Sequence, residues 1–192
     1  MAKNYEFRPD KPQVSWTSKL HLTQLQRQAI LKWALYALLL LVLSLLQDVV
    51  LSRFRLFGAT TDLIPCAIIL ICIIEGSHSG SLFALISASL YVFSGSAAGV
   101  YSLFLIVFLA VFVCIFRQGY LQKGFAAAML CTVFAVAVYE AAIFIIGYLM
   151  GLTILDRWIG FTVTTVLSIL CAPILYPIIL SIASIGGNTW KE

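Results

Sequence analysis

Charge is scarce in this chain. Asp, Glu, Lys and Arg make up 10% of its 192 residues against 62% hydrophobic residues, and the mean hydropathy is +1.04. A soluble domain of that composition could not cover its core with polar surface, so a bilayer has to be the main solvent. Histidine is scarcer still, with only His21 and His78. The chain also lacks GxSxG, HExxH and any phosphate-cradling glycine loop with a lysine. No acidic or basic cluster is dense enough to hold a nucleotide or a polyprenyl phosphate, and the basic N-terminal stretch suits anionic lipid or cytosol, not nucleic acid. Catalysis would have to rest on Glu75, Glu140 or Asp62 alone. The expectation is therefore a protein that is not an enzyme and carries no cofactor. The five cysteines (Cys66, Cys72, Cys114, Cys131, Cys171) lie inside apolar runs, without CxxC or Cys/His spacing, and read as small hydrophobes. Residues 1–27 hold no apolar core of the signal-peptide kind, so the first apolar run is expected to anchor the chain.

Long apolar runs are what the chain has in place of polar chemistry. A helical span takes about 20 mostly apolar residues, and such runs lie at 28–47, 56–75, 77–95, 98–116, 124–150 and 158–182. The pattern predicts an all-α polytopic membrane protein of about six transmembrane helices over 28–182. A flexible N-terminal tail, 1–27, precedes them and a short C-terminal tail, 183–192, follows. From Ser18, the pattern Leu20, Leu22 and Leu25 beside Gln24, Gln26, Arg27 and Gln28 starts the first helix before the membrane. In the second run Asp62 is placed to cap the helix and Pro65 falls near its start, which suggests a re-entrant or capped beginning. The fifth run exceeds what a bilayer needs, and Pro173 and Pro177 predict a kink in the sixth. With the N-terminus inside, nine Lys and Arg fall on the cytoplasmic side and three outside, namely Arg53, Arg55 and Arg157. The positive-inside rule then puts both termini of a multi-pass cell-membrane protein in the cytoplasm.

Three acids stand out against this background. Glu75 ends the second run and leads into Gly76-Ser77-His78-Ser79-Gly80, a tight turn. It reads either as a proton or ligand site or as an interfacial charge beside a permissive glycine. Its Glu-x-x-His spacing is half of a di-metal motif whose second half is missing. Glu140 falls near the middle of the fifth run, where an ionised carboxylate costs a few kcal/mol, so it must face protein or water or be protonated. Arg53, Arg55, Tyr139 and the serines of the third helix are its candidate mates. Gly76, Gly80, Ala84 and Ala88 recur every four residues on the third run, as Gly124, Ala128 and Thr132 do on the fifth. Such stripes let backbones approach, either within the chain or against a partner helix. The candidate functional or partner-contact residues are thus Asp62, Glu75, Glu140, Gly76, Gly80 and Ala84.

From Leu46 to Leu63 the chain reads LQDVVLSRFRLFGATTDL. The apolar IPCAIILICIIEG follows, then Ser-His-Ser-Gly80 and a further turn, SGSAAG. This resembles the MreD family of rod shape-determining membrane proteins, with Leu-Gln near the end of the first span, a Leu-x-Gly and Pro-Asp-Leu segment opening the second, and a glycine-rich junction into the third. The resemblance covers about residues 28–182. Thr61 stands where the family usually has Pro, and Ala88-Ser89-Leu90-Tyr91-Val92 lacks the acid that commonly ends the third span. The resemblance implies a non-enzymatic subunit of the cell-elongation machinery. It would partner MreC and, with it, link the filament protein MreB to RodA and its transpeptidase in peptidoglycan synthesis. It also implies a fold similar to the substrate-binding subunits of energy-coupling-factor vitamin transporters, and such a subunit is the alternative reading. That alternative expects an alanine stripe on the first helix, which Ala29, Ala34 and Ala37 do not match in spacing.

Overall fold

A computed structural model describes residues 24–53, 61–120 and 124–185. Ser18, Leu20 and Leu22 of the pattern that opens the first helix, as well as Arg55, Lys123 and Lys191, lie outside them, and the pattern's residues from Gln24 to Gln28 form the first described turns of α1. The described residues form six helices: α1 (Gln24–Leu45), α2 (Leu63–Glu75), α3 (Ser77–Phe93), α4 (Tyr101–Tyr120), α5 (Phe125–Leu149) and α6 (Trp158–Ile185). No strand occurs among the described residues. The protein is an all-α polytopic membrane protein. Four segments are long and apolar enough to cross a bilayer, namely α1 with the turns that follow it, α4, α5 and α6 with the turn that precedes it.

The organising element is α2. Every residue from Leu63 to Ile74 is buried, and a helix that is apolar all round belongs in the middle of a bundle. The other five helices all pack against it. At 13 residues it spans about 20 Å, short of the roughly 30 Å hydrocarbon layer. Lipid instead meets the other five helices, whose outward positions are large and apolar, among them Leu38, Leu41, Leu82, Leu90, Phe104, Phe108, Leu130 and Leu170.

The small-residue stripes are spent on packing inside the chain. A single residue, Gly76 (φ +97°), joins α2 to α3. On α3, Gly80, Ala84 and Ala88 are buried. A Cβ on Gly80 would come within 2.9 Å of the Cys72 backbone, so this glycine sets how closely α3 approaches α2. Ala128 and Thr132 of α5 are likewise fully buried. The spacing of Gly147 and Gly151 has a local cause. Gly151, at φ +71°, donates to the Tyr148 carbonyl while Leu152 donates to that of Gly147, the paired bonds of a Schellman cap that ends α5.

α6 continues through both Pro173 and Pro177 as one 28-residue helix, about 42 Å long. Ser168, eleventh in α6, meets the first residue before α2, so α5 and α6 extend well past the start of α2. Their shared turn carries exposed Leu149, Met150, Leu152 and Ile154.

Candidate functional site

Polar side chains gather at the two ends of α2. At its start, α1 gives way to a π-helical turn, Leu46–Val50, which sends two neighbouring side chains to different partners. Asp48 accepts from the Ser96 hydroxyl at 3.1 Å, in the α3–α4 turn. Gln47 reaches α2: its Oε1 accepts from the Leu63 N–H at 2.9 Å, and its Nε2 donates to Asp62 Oδ1 at 3.3 Å. Asp62 does occupy the position before α2, but its carboxylate does not cap the helix. Gln47 satisfies that orphan donor from another helix, because the Asp62 carboxylate is turned toward α3. There it accepts the Tyr91 hydroxyl at 2.9 Å on both oxygens. The Asp62 N–H completes the knot by donating to Ser168 Oγ of α6 at 3.0 Å.

Glu140 of α5 lies beside this knot. It is buried, 5% exposed, and within electrostatic reach of Asp62 and Tyr91. No hydrogen bond within the described residues reaches its carboxylate. Its neighbour Tyr139 is fully buried; the hydroxyl lies near Ser102, whose own proton goes to the Gly99 carbonyl, and forms no bond of acceptable geometry. The structure therefore brings together Asp62 and Glu140, two acids the sequence singled out separately, and adds Gln47, Tyr91, Tyr139 and Ser168. Of the mates expected for Glu140, Tyr139 lies in this group.

The other end of α2 holds an ion pair. Lys32 Nζ donates to Glu75 Oε2 at 2.6 Å, and the Tyr36 hydroxyl donates to Oε1 at 2.8 Å. The Glu75 side chain is 2% exposed and that of Lys32 10%. Trp33, Tyr36 and Phe83 pack around the pair with ring centroids 5.3 to 5.8 Å apart, and the ammonium lies 5.1 Å from the Trp33 ring. Lys32 lies beyond the N-terminal tail, as a buried residue of α1. Glu75, read as a proton or ligand site or as an interfacial charge, has its side chain buried in this pair. Gly76 and Gly80 lie near this end, whereas Ala84 is a turn further along α3, in the buried cluster that also holds Ile68 and Tyr139.

The cysteines act as the sequence reading expects of small hydrophobes. Cys66, Cys72, Cys114 and Cys131 are buried. The Cys72 thiol points to the Ala110 carbonyl and that of Cys114 to the Cys72 carbonyl. Among the described residues no group of three or more His, Cys, Asp or Glu is placed to hold a metal ion. The chain matches no protein-family model, no curated protein and no solved structure.

Proposed function

We propose that this chain is a non-enzymatic membrane subunit of the bacterial cell-elongation machinery, of the MreD type. It partners MreC and helps to position or regulate peptidoglycan synthesis, with MreB, RodA and its transpeptidase in the wider complex. One observation carries the reading. The Leu-Gln that closes α1 and the Asp-Leu that opens α2 are the two halves of the motif behind the resemblance. In the folded chain Gln47 bonds directly to both Asp62 and Leu63, so the two strings form one structural device. Its strength comes from its surroundings, since a hydrogen bond in low dielectric has no water to replace it. The device fixes α1 on the buried α2 and leaves most of α1 facing outward, free to meet lipid or a partner helix.

In this reading the Glu75 end of the bundle faces the cytoplasm, as the Lys and Arg asymmetry asks, and the Asp62 end and the α5–α6 turn face outward. Depleting the protein from a rod-shaped host is expected to round or widen the cells. Unchanged shape at full depletion would contradict the proposal.

A further inference from the structure

Two neighbouring side chains of α5 end in polar groups that the fold buries without a partner. The Tyr139 hydroxyl is fully buried and unpaired, and no donor among the described residues reaches the Glu140 carboxylate. The groups that surround them come from the elements packed at this end of the bundle. Asp62 stands before α2, Tyr91 lies on α3, and Tyr101 and Ser102 open α4. Several of these are already committed: Tyr91 and Gln47 donate to Asp62, Ser102 donates to the Gly99 carbonyl, and Ser168 of α6 accepts the Asp62 N–H. What remains is two carboxylate oxygens of Glu140 and the lone pairs of the Tyr139 and Ser102 hydroxyls, so acceptors outnumber donors. Neither acid has a Lys or Arg among its electrostatic neighbours within the described residues, and Arg53, in the turn after α1, is exposed. A carboxylate buried in this way calls for positive charge beside it.

We propose that this cluster binds one small alkali-metal cation, with the Glu140 carboxylate and the Tyr139 hydroxyl oxygen as ligands and Asp62 adding its field from nearby. The donor set selects the ion. Every group left over is an oxygen, which suits a hard cation, and the unpaired Tyr139 hydroxyl adds an oxygen ligand without adding charge. A calcium ion takes about six to eight oxygens, commonly with several carboxylates among them. Here Asp62 is already held by Tyr91 and Gln47, which leaves Glu140 as the carboxylate free to coordinate. A water molecule would pair both atoms but leave the charge of Glu140 uncompensated. Glu140 keeps 5% of its surface exposed, which gives an ion a way in.

The test uses the full-length chain in detergent, with radioactive sodium as the probe and choline chloride holding the ionic strength constant. Saturable binding of one ion per chain is expected, together with a melting temperature that rises with sodium and not with choline, since a ligand that binds only the folded state stabilises it. Glu140→Gln keeps the shape of the side chain and removes its charge, and should weaken sodium binding by more than about tenfold. Tyr139→Phe removes a single ligand oxygen and should weaken it about tenfold. Both variants should give folded protein, so the sodium response and not the yield separates a ligand from a packing residue. Where Glu140→Gln does not fold, Tyr139→Phe decides. Absence of saturable sodium binding by the unaltered protein, or undiminished binding by either folded variant, would overturn the proposal. So would a stabilisation by mild acid that is the same with and without sodium, because the occupant would then be a proton.

Discussion

The Lys32–Glu75 pair was costly to bury, because each ion gave up water to enter the bundle, and the Tyr36 hydroxyl and the Trp33 ring return part of that cost. Removing one partner strands the other. Glu75→Ala is expected to destabilise the protein by about 3–5 kcal/mol, whereas the double change Lys32→Met with Glu75→Leu should restore much of the loss. Reversible unfolding in a bilayer mimic would show the difference, and equal losses in the single and double variants would contradict the pairing. Glu140 poses the opposite case, an acid with no bonded partner among the described residues. Glu140→Gln should therefore fold with a yield near that of the unaltered protein and Glu140→Lys should not, since a new cation beside Tyr139 finds only the acidic surroundings of Asp62 at a distance. The yield of monodisperse protein on size exclusion measures this. All three acids were legible in the sequence because a charge inside an apolar run is conspicuous. Their partners were not. Lys32 and Glu75 are 43 residues apart, and Asp62 and Ser168 are 106 apart; no helical period reports pairings across such distances. Tyr91 carried no signal at all, being one more aromatic in an apolar helix.

Among the elements, α2 shows where apolar periodicity stops being informative. The run of apolar residues begins at 56, yet the helix starts at Leu63, and only Asp62 and Pro65 mark the true beginning. Its burial on all sides makes it intolerant of crowding. Gly80→Leu would drive a side chain into the Cys72 backbone, which cannot move without shifting both helices. A loss of more than about 3 kcal/mol is expected, above the usual range for overpacking because the obstacle is main chain. Gln47→Ala tests the opposite end of α2. It removes two hydrogen bonds and leaves the Leu63 N–H without its acceptor, for an expected cost of about 1–3 kcal/mol. Faster amide exchange at Leu63 would locate the effect there, and unchanged exchange would contradict the role given to Gln47. The spans 77–95, 124–150 and 158–182 sit close to α3, α5 and α6 because each ends at a glycine, a serine or a charged turn that breaks the apolar run. The two prolines, expected to kink the sixth helix, leave α6 continuous past both.

At the scale of the whole molecule, five helices wrap one short buried helix, leaving polar knots at both of its ends and hydrocarbon-facing side chains elsewhere. The class of fold was legible because so apolar a chain has few alternatives to a bundle in lipid. The wrapping of α2 was not, since a buried helix and a lipid-facing helix are equally apolar in composition. Reporter fusions after residue 192 should be active only in the cytoplasmic form if the charge asymmetry sets the topology; periplasmic activity would reverse the orientation. We propose that this bundle serves as a membrane scaffold of the elongation machinery. That role is tested most directly by cross-linking the tagged full-length protein in its own host, solubilising it, and identifying what is recovered by mass spectrometry. MreC together with wall-synthesis enzymes is the expected recovery; a transporter coupling subunit with paired ATPases, and no MreC, would contradict the scaffold proposal.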